Sequence, residues 1–308
     1  MVNGEAKTDG VVAAVGNFDG VHLGHQHLLA RTAAFAQSLG ARMGAVVFEP
    51  HPRRYFRPDD PPFLLTTPAK RDALLAAHGV ETVLALPFDK TLAASSPEAF
   101  VRNVLKARLG LSGVVTGADF RFGKGREGDG KALRVLGAAA GLAVDLVDVL
   151  AENPQVEKLG SSAVRAALQA GEPERAAAIL GRRWSVSGVV EEGQRLGRGL
   201  GFPTANMTLG EVIEPRKGVY ATWATVGDKA FPAVSNFGRR PTVGGGGPLL
   251  ETHIFDFDGD LYGAEIEVAF VSFLRDERKF DGLDALKAQI AADSAEARRI
   301  LRSDTVNA

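Results

Sequence analysis

The chain of 308 residues contains no cysteine, which excludes a disulfide framework, a thiolate nucleophile and any cysteine-ligated metal. It also lacks a charge excess: the formal net charge at pH 7 is −1. Neither nucleic acid nor an acidic membrane is therefore expected as a partner on electrostatic grounds. No uninterrupted apolar run is long enough to span a bilayer. The opening MVNGEAKTDG carries neither the basic nor the apolar block of a signal peptide. These absences make the cytoplasm the expected compartment. What is present is a hydrophobic share of 45%, enough for a sizeable core, over a length that suggests two domains.

The stretch around which the chain is organised is GNFDGVHLGH, residues 16–25, between the apolar run Val11–Val15 and a segment with helical spacing at residues 26–39. A strand, a turn containing Gly16, Gly20 and Gly24, and a helix start are what a phosphate-binding loop requires. Glycine lets backbone approach an anion, and free N–H groups at a helix start favour negative charge. His22 and His25, three residues apart, can face one phosphate, whereas His27 points elsewhere. A glycine-rich turn with surface histidines fits the same residues, so further support is needed.

Further apolar runs at residues 44–48, 82–86, 113–116 and 143–149 alternate with helical segments. One of these, residues 97–109, has Phe100, Val101, Val104, Leu105 and Leu109 on one face, with Ser96 as N-cap and Pro97 at the first helical position. Repeated strand–helix units predict a parallel sheet covered on both faces, with ligands at the carboxyl ends of the strands. The candidate residues follow strands accordingly. EPHP holds His51 between two prolines after the second strand. TGADFRFGKGREGDG follows the fourth, with Asp119 and Phe120 suited to reading a ring system and Arg121, Lys124 and Arg126 to meeting phosphates. Farther on, Ser161 suits an N-cap of the helix carrying Arg165; alternatively Ser161, Ser162 and Arg165 meet another phosphate.

Taken in order, GNFDGVHLGH, EPHP, GADFRFG, SSAVR and the LGRRW junction closely resemble the prokaryotic bifunctional riboflavin kinase/FAD synthetase family. The resemblance implies that residues 1–182 form a Rossmann-like nucleotidyltransferase domain that makes FAD and pyrophosphate from FMN and ATP. It assigns phosphate binding and transition-state stabilisation to His22, His25 and Arg165. Substrate contacts go to Gly16, Phe18, Asp19, Gly20, Gly24, His51, Asp119, Ser161 and Ser162. The chain departs from the family pattern at Gly160, where a serine is common, and at Ser162, where threonine is common. A hydroxyl is kept at Ser162, and Asp119 occupies a position that is asparagine in some relatives.

Near residues 182–184 alanine-rich helix gives way to short β-like runs at residues 184–190, 219–226, 230–234, 249–255 and 265–274, followed by a helix at residues 283–302. Close spacing of this kind predicts a small antiparallel barrel or sandwich. Leu283, Leu286, Ile290, Ala297 and Leu301 are available for the inner side of the helix. GQRLGRGLGFPTANM lies between the first two runs, with glycines for close phosphate contact and the hard oxygen donors Thr204 and Asn206 beside Pro203, which suit Mg²⁺.

With SNFGRRPTVGGGG, ETHIFDF and DGDLYG, this stretch resembles the riboflavin kinase module of the same family. The implied fold is a six-stranded antiparallel β-barrel with a terminal helix over residues 183–308, which phosphorylates riboflavin with Mg-ATP. The implied roles are metal and ATP binding by Thr204 and Asn206, substrate binding by Gly197, Gly201, Pro203 and Asn236, and base catalysis by Glu251. A neutral alcohol needs a base, whereas an FMN phosphate is already an anionic nucleophile. The reading is thus a two-activity enzyme of α/β plus β architecture, using ATP, riboflavin and FMN with Mg²⁺. Its rivals are a chain with one inactive module, the adenylyltransferase being the more exposed at Gly160 and Ser162, and a flavin- or nucleotide-binding regulator that does not catalyse. Nucleic-acid binding through the Arg/Lys loop lacks a basic excess to support it. Oligomeric state is not fixed by the sequence.

Overall fold

The computed structural model describes residues 10–148, 160–191, 202–239 and 247–304. Gly197, Gly201 and residues 244–246 of the glycine-rich stretches lie outside the described residues. The chain divides into two compact units, Met1–Pro61 with Thr66–Gly160, and Pro62–Leu65 with Ser161–Ala308.

In the first unit β1 (Val11–Val15), β2 (Arg42–Glu49), β3 (Thr82–Pro87), β4 (Gly113–Gly117) and β5 (Ala143–Val147) form a five-stranded sheet in the order β3-β2-β1-β4-β5. Every pairing is parallel. β1 is buried along its whole length and feeds two cores. Val11, Ala13 and Val15 pack with Val46, Leu105 and Leu133 on one face. Val12 and Ala14 pack with Leu29, Ala45 and Leu75 on the other. Burial on both faces is why the central strands read as apolar runs rather than alternating ones. Close packing also dictates Gly44, where a Cβ would lie 2.7 Å from Val11 Cγ1.

The helices of this unit are α1 (Leu23–Ser38), α2 (Pro52–Phe56), α3 (Pro68–Ala77), α4 (Lys90–Ala93), α5 (Pro97–Ala99), which runs on as a π-helix over Phe100–Arg108, and α6 (Gly130–Ala139). α1 begins earlier than the spacing of residues 26–39 predicts, because His22 caps it and brings His25 into its first turn. The helix expected at residues 97–109 is present with Ser96 as N-cap and Phe100, Val101 and Leu105 buried. It is wound more widely than expected, with the Leu109 N–H reaching Val104 O at 3.0 Å.

The second unit contains α7 (Ser161–Ala170) and α8 (Pro173–Leu180), then β6 (Ser185–Val189), β7 (Ala205–Thr208), β8 (Gly218–Val226), β9 (Lys229–Arg239), β10 (Pro248–Ile254), β11 (Glu265–Arg275) and α9 (Leu283–Ser303). Ser161 is the first helical residue of α7 rather than the residue before it. The six strands run in the order β6-β11-β8-β9-β10-β7, all antiparallel. The Glu191 N–H, just beyond β6, donates to Asn206 O of β7 at 2.8 Å, nearly closing the barrel.

β7 is the strand that periodicity misses: at four residues it is too short to show alternation, and it begins inside the PTAN motif. Met207, Phe237 and Leu250 fill the barrel interior. A buried chain of hydroxyls runs from Thr222 to Ser235 at 2.8 Å and on to Thr252 at 2.9 Å, so these polar groups are satisfied without water.

The segment 62–65 is joined to this unit by the Trp184 Nε1–H, which donates to Leu65 O at 2.9 Å, and by the Ile213 N–H, which donates to Leu64 O at 2.8 Å. Ala297 and Leu301 of α9 are buried against Val219, Ala221 and Val234. Leu283, expected on the inner side, is 65% exposed at the start of the helix.

Leu29 is fully buried on α1 behind the loop at residues 16–22. Leu29→Ala is expected to destabilise the first unit by about 3 kcal/mol through lost contacts and a residual cavity, read as a lower urea midpoint for that unit's transition.

Candidate active sites

In the first unit the strand order reverses direction between β1 and β4, so the loops leaving these neighbouring strands diverge and open a crevice at their carboxyl ends. The β1 loop is tightly coiled, with positive φ at Phe18 (52°), Gly20 (84°) and Val21 (43°). A branched residue adopts that backbone only under constraint from its surroundings, and here Phe18 and Val21 are both fully buried.

Thr66 supplies a further constraint: its Oγ1 accepts from Gly20 N–H at 3.2 Å and its N–H donates to Asp19 Oδ1 at 3.3 Å. Thr66 lies 46 residues from Gly20 and carries no local sequence signal, so motif reading could not find it. Asp19 is consequently buried as a brace of the loop.

His22 Nδ1 accepts from the His25 N–H at 3.4 Å, and the two rings stack with centroids 3.7 Å apart. His27 is exposed, as expected. His25 is half-buried, and its Nδ1 is buried without a hydrogen-bond partner, as is Asn17 Oδ1. Burial first, and the neighbouring His22 second, hold the His25 pKa well below its usual 6.5, so the ring is neutral at physiological pH.

Beside the loop lies a cavity of about 870 Å³ whose lining includes Gly16, Asn17, His51 and Asp119. Its apolar walls are aromatic. Phe120 and Phe122 stack with centroids 5.7 Å apart, and Phe56 meets Phe88 edge-on at 5.7 Å. Arg53, Arg57, Arg121, Lys124 and Arg126 ring the same cavity. Arg53 is engaged by Asp60 at 2.8 Å and Arg121 stands 3.8 Å from Asp129. A planar aromatic ligand with an anionic tail fits such a site.

His51 caps α2, its Nδ1 accepting from the Arg53 N–H at 3.0 Å. Gly123, with φ of 73°, approaches Pro97 so closely that a Cβ would lie 2.8 Å from its nitrogen. Ser161, Ser162 and Arg165 belong to the other compact unit, where Arg165 Nε–H donates to Phe63 O at 2.7 Å and Ser162 is exposed.

In the second unit strand register assembles the site. Glu251 on β10 is paired directly with Asn206 of β7 and with Asn236 of β9. Val219 of β8 pairs with Asn236, and Arg275 of β11 with Val219. Directly opposed residues share a face, so Glu251 stands in a transverse row between two asparagines. Glu251, Asn236, Thr204, Arg275 and Phe280 line a cavity of about 390 Å³ that is closed on one side by Leu286, Ile290 and Asp293 of α9.

Arg275 is tied to the buried carboxylate of Asp293, at 2.7 Å from Nη2 and 3.0 Å from Nε. Phe280 lies under two guanidinium groups, with Arg278 4.9 Å and Arg275 5.8 Å from its centroid. Thr204 and Asn206 line a second cavity of about 220 Å³, with Thr252, Ile254 and residues 257–262. Thr204 thus borders both cavities. Asn206 Oδ1 is buried without a partner, the condition of an oxygen awaiting a cation or donor. Among the described residues no cluster of three or more His, Asp or Glu side chains is arranged for a metal.

The fold and sites define a class: two nucleotide-handling transferase units, one with a parallel sheet and one a barrel. Residues 4–162 match the FAD synthetase family model, and residues 180–301 match the riboflavin kinase model. The chain is 40% identical to the bifunctional riboflavin kinase/FMN adenylyltransferase of Pseudomonas fluorescens over 94% of its length and 93% of that protein. It is 39% identical to the protein of the same name from Escherichia coli K12, over 96% and 94% respectively.

The chain belongs to the bifunctional riboflavin kinase/FMN adenylyltransferase family. A crystal structure from Streptococcus pneumoniae, described as a macrolide-efflux protein, shares the fold with a TM-score of 0.86 at 29% identity, covering 96% of each chain. No described helix of this chain is long and apolar enough to cross a membrane.

Two measurements probe the first site. Because the folded pKa of His25 is depressed, the unfolded chain binds more protons below pH 6.5. Its contribution to stability is therefore complete above 6.5 and is lost as pH falls from there toward the depressed value. An NMR titration should show the His25 ring still neutral at pH 6, and His25→Asn should reduce the acid-side slope of stability. Thr66→Val removes the Oγ1 acceptor for Gly20 and is expected to lower kcat/KM for FAD formation about tenfold, with Thr66→Ser near wild type.

Proposed function

We propose that the chain converts riboflavin to FMN and FMN to FAD in two ATP-dependent steps, phosphoryl transfer in residues 183–308 and adenylyl transfer in residues 1–182. The observation that carries this reading is the row Asn206–Glu251–Asn236, which puts one carboxylate at a cavity also bordered by Thr204. Substrates of this size and charge, and the absence of any described membrane-crossing helix, favour the cytoplasm as the place of action.

In the kinase step Glu251 accepts the proton of the ribityl 5′-hydroxyl as its oxygen forms a bond to the γ-phosphorus of ATP and ADP leaves. The orphaned Asn206 Oδ1 beside Thr204 fits Mg²⁺, with Pro203 stiffening the approach to both. When bound, Mg²⁺ neutralises charge on the ATP phosphates. Asn236 flanks Glu251 on the opposite side and orients the ribityl chain, while Phe280 offers an aromatic face to the flavin. Gly197 and Gly201 are proposed phosphate contacts in the same stretch of sequence.

In the adenylyl step an oxygen of the FMN phosphate attacks the α-phosphorus of ATP, and pyrophosphate departs. The nucleophile is already anionic, so alignment and charge stabilisation carry the rate. His22 and His25 hold the reacting phosphates, assisted by backbone N–H groups around Gly16, Gly20 and Gly24. Being neutral, His25 acts as a hydrogen-bond donor rather than a cation. Asp119, His51 and the aromatic walls hold the flavin. Ser161, Ser162 and Arg165 are assigned to phosphate binding from their place in the motif.

The test is a chromatographic time course with riboflavin, ATP and Mg²⁺. FMN should rise and then give way to FAD. Glu251→Gln should reduce FMN formation at least about a hundredfold while FMN supplied directly is still converted to FAD. Unchanged FMN formation by Glu251→Gln would remove the base assignment, and the absence of both products would remove the enzyme reading.

A further inference from the structure

His253 stands two residues beyond Glu251 on β10 and lines the same cavity, yet neither the base chemistry nor metal binding uses it. Its Nδ1 lies 2.8 Å from the carbonyl oxygen of Pro203. A carbonyl can only accept, so Nδ1 carries the hydrogen and donates it. The ring is further held edge-on between Phe202, at 5.5 Å, and Phe255, at 5.6 Å. Phe255 in turn lies under the Arg298 guanidinium at 4.2 Å, and Arg298 is paired with Asp256. The imidazole is therefore fixed in position, tautomer and tilt by groups on three sides.

The bond it makes spans 50 residues of sequence. Pro203 has no N–H, and its carbonyl belongs to the peptide group that leads into Thr204. Holding that carbonyl fixes the peptide plane from which Thr204 and then Asn206 project. β10 carries the base on one residue and, two residues later on the same face, the clamp on the loop that presents the metal ligands.

We infer that His253 is a positioning residue for riboflavin phosphorylation, its Nδ1–H setting the Thr204–Asn206 oxygens relative to Glu251. The inference rests on the reading of this cavity as the kinase site. Its effect falls on binding of Mg-ATP rather than on proton removal, because the base itself is untouched.

The experiment compares three full-length variants by initial rates of total flavin nucleotide formed from riboflavin, at varied Mg-ATP and varied free Mg²⁺. His253→Phe keeps a ring between Phe202 and Phe255 but removes the donor. His253→Asn places an amide N–H where Nδ1–H was, and His253→Gln places it where Nε2 was. Expected are a KM for Mg-ATP raised about tenfold in His253→Phe, a parallel rise in the Mg²⁺ requirement, and a kcat less affected than KM. Recovery is expected in His253→Asn but not in His253→Gln.

Conversion of supplied FMN to FAD by the same preparations should match wild type. A wild-type KM for Mg-ATP in His253→Phe overturns the inference, as does equal impairment of the Asn and Phe variants. Failure of the wild-type chain to phosphorylate riboflavin at all would instead remove the kinase reading on which the inference rests.

Discussion

Strand register is the constraint on which the carboxylate row of the second unit depends. Glu251, Asn206 and Asn236 come from three strands and share a face only because β10 pairs with β7 and β9 at those positions. A slip of one residue on β10 would turn Glu251 into the barrel and bring Thr252 out. Burial forbids the slip: Leu250 and Thr252 are fully inside, and Thr252 closes the hydroxyl chain through Ser235 to Thr222. The interior that stabilises the barrel thus sets which residues its exterior presents together.

The first unit uses a different device for the same need. Its parallel sheet cannot place side chains in a row across an exposed face, since both faces are covered. It presents loops at the carboxyl ends of the strands instead, and loops require bracing. The bracing comes from burial of Phe18 and Val21 in a backbone they would not otherwise adopt, and from the paired hydrogen bonds of Thr66. Stored strain and a rigidly held loop are two aspects of one arrangement.

The two units also divide the chemistry by the protonation state of the nucleophile. A neutral alcohol calls for a carboxylate base, the role proposed for Glu251. A phosphate calls for donors without a base, the role proposed for the two stacked histidines, of which His25 is kept neutral by burial. An aromatic cavity borders the histidine loop, and Phe280 borders the carboxylate cavity. Both cavities therefore offer planar stacking surfaces.

Sequence by itself determined the alternation of strands and helices in the first half, the change to closely spaced strands after residues 182–184, and the motifs on which the family resemblance rests. These are local signals: buried runs, caps such as Ser96, and glycines at turns. It also singled out His22 and His25 by residue type and spacing and Thr204 and Asn206 by residue type, and it reached Glu251 through the family resemblance. Only the tertiary structure decided that PTAN opens a strand, that Asn236 and Asn206 flank Glu251, and that Thr66 braces a loop 46 residues away. The same holds for the aromatic walls and for His253 reaching Pro203 across 50 residues. The physical reason is that hydrophobic period and turn chemistry act over a few residues. Register and loop bracing arise when segments distant in sequence are packed against each other, and no local pattern encodes which of them will meet.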